Sequence, residues 1–100
     1  MPPQLSKSQH DFIAAYRQGL GSHAARLTDD QIRGDALMVA ARVDDEIEHM
    51  QRAGALKSVN RSYRTYRLDA SARGERILRF AEWMDRYKAN LIREIAANLR

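Results

Sequence analysis

The stretch Asn60-Arg61-Ser62-Tyr63-Arg64-Thr65-Tyr66-Arg67 concentrates residue types that bind phosphate. A guanidinium is a permanent cation whose planar donors match phosphate oxygens. On a helix, Arg61, Arg64 and Arg67 step by three and share a face, a geometry suited to tracking phosphates along a nucleic-acid backbone. Arg73, Arg76 and Arg79 repeat that spacing further on, and Lys57 extends the run upstream. The interleaved tyrosines could stack on bases, but the helical spacing of Tyr63 and Tyr66 assigns them to packing. Two uses compete for the arginines: binding phosphate, or pairing with carboxylates elsewhere in the chain.

The carboxylates are concentrated just upstream. Residues 29–48 hold seven acids against Arg33 and Arg42, a net −5, and residues 52–79 hold eight bases against Asp69 and Glu75, a net +6. Asp44, Asp45 and Glu48 are therefore candidates for a partner surface. Glu46-x-x-His49 has the carboxylate–histidine spacing of four-helix di-iron sites, but such a site requires a second copy of the motif and two further glutamates. The C-terminal third offers only Glu75, Glu82, Asp85 and Glu94, without histidine, so no metal site and no cofactor is expected.

His10, His23 and His49 belong to no motif that brings together a nucleophile, a base and an oxyanion donor. No glycine-rich phosphate loop occurs. These residues predict no catalytic site and a protein that acts by binding. Trp83, beside Met84, is expected in the core or at a subunit interface.

The elements that must position these groups are helices. Ser6-Lys7-Ser8-Gln9 fits a capping box, after which Phe12, Ile13, Tyr16 and Leu20 recur at helical spacing until Gly19 and Gly21. Ser22–Arg26 reads as a short helical turn or a loop. Thr28-Asp29-Asp30-Gln31 is a second capping box, flanked by Leu27 and Ile32 as a hydrophobic staple. Its helix carries Ile32, Ala36, Val39, Ala40, Val43, Ile47 and Met50 on one stripe and ends at Gly54. Over 56–69, a helix places Leu56, Val59, Tyr63 and Tyr66 on one side, whereas a strand would split the tyrosines. Asp69-Ala70-Ser71 and Gly74 suggest a break or kink, and a last helix from about Glu75 carries Ile77, Phe80, Ala81, Met84, Tyr87, Leu91, Ile95 and Leu99. The expected architecture is all-α: a small bundle or hairpin with two long antiparallel helices, about 29–53 and 75–99, and shorter flanking helices.

One hundred residues make one domain, with residues 1–5 expected to be disordered. The absence of cysteine excludes disulfides and thiolate ligands. No apolar run is long enough for a membrane span and no signal core follows Met1, so a cytoplasmic location without membrane association is expected. Fourteen of the 17 basic residues are arginine, and the net charge is +4. That balance favours nucleic acid or an acidic protein surface as partner.

Leu5, Ser6, Gln9, Phe12 and Tyr16, followed by Ala24-Ala25, resemble the opening of phage DNA-packaging small terminase subunits, over about a fifth of the chain. There a Leu-Ser/Thr-x-x-Gln-x-x-Phe-x-x-x-Tyr pattern opens a helical segment leading to an Ala-Ala pair. The resemblance implies DNA binding, homo-oligomeric rings and recruitment of a large ATPase subunit. The chain then departs from the pattern, running from Leu27 straight into a long acidic helix. That departure argues against a standard helix-turn-helix and moves the expected DNA contact to the arginines at 61–79. The alternative expectation is a protein–protein interaction module, such as a small inhibitor, an antitoxin-like protein or an assembly adaptor, docking through its opposed acidic and basic faces.

Overall fold

The computed structural model describes residues 4–54 and 57–99. Four α-helices account for most of them: α1 (Lys7–Leu20), α2 (Asp29–Arg52), α3 (Lys57–Ala72) and α4 (Phe80–Asn98). A 3₁₀ segment, Gly21–Arg26, joins α1 to α2. No strand occurs among the described residues. Leu56, expected on the inner side of the third helix, lies outside the described residues.

Both capping boxes form. The Ser6 hydroxyl accepts the Gln9 N–H at 3.1 Å while the Gln9 side chain accepts the Ser6 N–H at 2.8 Å. Thr28 and Gln31 do the same at 3.1 and 2.9 Å. Each box satisfies two amides that the first helical turn would leave unpaired. At the far end of α3, Gly74 (φ +69°) closes a Schellman motif. There the Glu75 N–H donates to the Ala70 carbonyl at 2.9 Å and the Gly74 N–H to Ser71 at 3.1 Å.

α1 lies against α4 and runs parallel to it. The Ser8 hydroxyl donates to Asp85 at 2.9 Å near the start of both helices, and Arg93 Nε donates to the Gln18 side chain at 3.0 Å near the end. Gly19, expected to mark the end of the first helix, lies inside it. A Cβ there would collide with the Arg93 carbonyl and the Ala96 side chain, so glycine is what lets the two backbones approach. α2 returns along this pair, with Lys88 Nζ reaching Asp44 at 2.7 Å. The core between them holds Phe12, Tyr16 and Leu20 from α1, Ile32, Ala36, Ala40, Val43 and Ile47 from α2, and Met84, Ile92 and Ala96 from α4. Burying a side chain such as Leu20, Ile32 or Ile92 stabilises the fold by about 1.5–3 kcal/mol.

The last helix departs from expectation in two respects. It begins at Phe80, not near Glu75, so Ile77 sits on an extended segment, 75–79, and is exposed. The cause is tertiary: this segment is hydrogen-bonded across to α3 and cannot also close helical turns. In addition, its buried edge is Met84, Ile92 and Ala96, whereas Ile95 and Leu99 face outward. The main seam of the fold is thus α1 with α4, while α2 closes over both.

Candidate nucleic-acid interface

α3 attaches to the rest of the molecule through its apolar side. Val59 and Ala70 are buried, and Tyr63 and Tyr66 between them lean on α4. Trp83 is at the centre of the resulting aromatic group. Its ring centroid lies 5.2 Å from Tyr63, 5.4 Å from Tyr87, 6.1 Å from Phe80 and 6.4 Å from Tyr66. Offset and tilted pairs at these separations add about 0.5–1.5 kcal/mol each beyond area burial. Trp83, expected in the core or at a subunit interface, therefore spends much of its surface inside the chain, joining α3 to α4.

The tyrosine hydroxyls secure the segment after α3. Tyr63 Oη donates to the Leu78 carbonyl at 2.8 Å, and the Leu78 N–H donates to Tyr66 Oη at 3.0 Å. One residue of the extended segment thus has both backbone groups satisfied by α3. This arrangement turns Tyr63 and Tyr66 inward, as their helical spacing predicts, and sets the basic side chains outward.

Arg61, Arg64 and Arg67 are all exposed on α3, with Lys57 at its first turn. Steps of three fall short of a full turn by about 60° each, so the arginines form a slanting stripe. Arg67 ends it beside the aromatic group, with its guanidinium carbon 5.9 Å from the Tyr63 ring centroid. Arg73, Arg76 and Arg79 do not continue the helical face. Arg73 follows the last turn, and Arg76 and Arg79 belong to the extended segment. Arg73 pairs with Glu75 at 3.3 Å and Arg76 with Glu82 at 3.1 Å. Both pairs are exposed, so each is worth at most about 1 kcal/mol and gives way readily to a polyanion.

The competing use of the arginines can now be examined. Among the described residues, one ion pair, Glu48 with Arg52 within α2, joins the acidic stretch 29–48 to the basic stretch 52–79, and none reaches α3 or the segment after it. Asp29 pairs with Arg17, Asp44 with Lys88 and Glu48 with Arg52. Asp45 is exposed and takes part in no ion pair among the described residues. Among the described residues, Lys57, Arg61, Arg64, Arg67 and Arg79 therefore take part in no ion pair.

Other parts of the surface offer less. A cleft of about 530 Å³ lies between α1 and α4, lined in part by Lys7, Asp11, Arg76, Glu82, Asp85 and Arg86. Its charges alternate in sign, so it concentrates no field for an anion or a cation. Among the described residues, no three His, Asp or Glu side chains gather as a metal site would need. No helix among them is long and apolar enough to cross a membrane.

Sequence reasoning missed the clamp on Leu78. Tyr63 and Tyr66 were legible as inward residues, but nothing local indicates that their hydroxyls meet a backbone 12 and 15 residues downstream. Comparison with protein-family models, with curated proteins and with solved structures finds no match for this chain.

Proposed function

We propose that this protein is a non-enzymatic DNA-binding protein whose contact surface is the outer face of α3 and the extended segment after it. The observation that carries the reading is the stripe Arg61, Arg64 and Arg67, exposed and joined to no carboxylate among the described residues. Arg79 and Lys57 flank it, and Arg73 and Arg76 are released at little cost. Such a surface neutralises backbone phosphates and releases their counterions, which makes affinity rather than base readout its main output. The N-terminal resemblance supports a place in phage-type genome packaging, as a small-terminase-like subunit that would hand DNA to a large ATPase. The acidic first turn of α2, with Asp29 and Asp30, is a poor candidate for a recognition helix, which again favours α3.

Fluorescence anisotropy with a labelled duplex, over about 50 to 200 mM salt, tests this. Binding should weaken steeply as salt rises. Replacing Arg61, Arg64 and Arg67 together by alanine should reduce the slope of log K against log salt by about three, one per lost phosphate contact. Binding with an unchanged slope would move the site elsewhere. No binding even at the lowest salt would reject the DNA reading and favour the second one, a protein–protein module. That reading draws support from the unpaired acidic side chain of Asp45, which leaves a separate surface of opposite sign on α2.

A further inference from the structure

α2 and α4 leave an open apolar groove of about 350 Å³ on the surface. Val43, Ile47 and Met50 line one wall, and Tyr87, Leu91 and Ile95 line the other. The apolar surface continues past the groove at Leu99, one turn beyond Ile95 and 57% exposed. A contiguous apolar surface of this kind marks a place that another molecule covers.

The rim of the groove indicates which molecule. Arg42 and Glu46 are its only charged lining residues. They are one helical turn apart on α2, within reach of each other. Neither takes part in an ion pair among the described residues; with the base N-terminal to the acid, theirs is the less favourable order for pairing along a helix, so both are open to a second chain.

We infer that this groove is a two-fold interface between copies of the chain, in which the α2 helices cross antiparallel about position 44. Arg42 of each copy then faces Glu46 of the other, so both rim charges are answered twice. A rim of one cation and one anion is self-complementary only under a two-fold axis, which makes a second copy a better occupant than an unrelated acidic or basic partner. The α4 residues Leu91, Ile95 and Leu99 flank this crossing and supply its apolar contact. The dimer would carry two α3 arginine stripes, but the inference does not depend on what they bind.

Sedimentation velocity on the full-length chain, without nucleic acid, tests the interface. A dimer is expected in the micromolar range. Ile95→Glu, which places a charge in the groove, should give monomers with unchanged helicity by circular dichroism. Arg42→Glu and Glu46→Arg should each weaken dimerisation by about tenfold or more, through like-charge contacts. The double variant carrying both reversals should restore the original affinity to within about threefold, a recovery that no loss of folding could mimic. A chain that stays monomeric throughout would overturn the inference. So would self-association, in a dimer or a larger ring, that ignores the single reversals or is not rescued by the double one.

Discussion

α4 is held on two sides by opposite means. Against α1 the contact is made by small residues, and Gly19 sits so close to Arg93 and Ala96 that even one added carbon meets backbone. Against α3 the contact is made by large aromatic side chains centred on Trp83, whose ring centroid lies 5.2 Å from Tyr63 and 6.4 Å from Tyr66. The first seam brings two backbones together and buries their facing surfaces. The second holds a helix through a few side chains and leaves its outer face to solvent. A seam of small residues is sensitive to added volume, and a seam of aromatics to removed volume. The functional consequence lies with the second: α3 can present an arginine stripe because only its inner side is needed for attachment.

The contrast can be broken from either side. The largest expected effect is that of Trp83→Ala, which removes the hub of the aromatic group. It should cost about 3 kcal/mol in denaturant unfolding, at the low end for a tryptophan because the ring is half-buried. Hydrogen exchange should show protection lost over 57–72 before it is lost over 7–20. Equal loss in both would show that the two seams are not independent.

Gly19→Ala attacks the other seam and should cost about 2 kcal/mol, even though alanine is the better helix former. Its hydrogen-exchange signature should be the reverse, with α1 loosened and α3 little affected. Unchanged stability would show that α1 and α4 can separate without loss. Next in size are Tyr63→Phe and Tyr66→Phe, which keep the rings and remove the clamp on Leu78. Each should cost about 1 kcal/mol, and together they should increase proteolysis within 75–79. A silent double variant would mean that ring packing alone holds the segment.

The smallest effect is alkaline. Burial, with a contribution from the nearby Asp35 carboxylate, raises the pKa of Tyr16 above its ordinary value of 10.0. The folded state therefore holds this proton more tightly than the unfolded chain does. The corresponding stability is fully present below about pH 10 and is lost as pH rises through the folded value. Thermal unfolding followed across that window should show a steeper decline for the wild type than for Tyr16→Phe. Parallel curves would remove Tyr16 from the account.

How much of this was legible depended on the range over which the governing physics acts. The starts of α1 and α2 were readable at Ser6 and Thr28 because a capping box is closed within four residues. The third helix was readable because only a helix sets Val59, Tyr63 and Tyr66 on one side. The start of α4 was not, because residues 75–79 have a helical apolar pattern but Leu78 among them gives both its backbone groups to α3. The outward positions of Ile95 and Leu99 were equally hidden. Their spacing matches that of a core stripe, and only the close approach of α1 turns Ile92 and Ala96 inward instead.

The arginine stripe shows the same division. Residue types and spacing alone determined that a helix would carry Arg61, Arg64 and Arg67 as a slanting stripe, with Arg61 opposite the tyrosines and Arg67 beside Tyr63, since helical periodicity is a local property. Whether those charges stay available was decided by tertiary structure, because ion pairing depends on which surfaces meet. Among the described residues, the acidic side chains of α2 pair with Arg17, Lys88 and its own Arg52, and with no arginine of α3. The segregation of charge visible along the chain is therefore kept in space, and the arginines of α3 remain exposed.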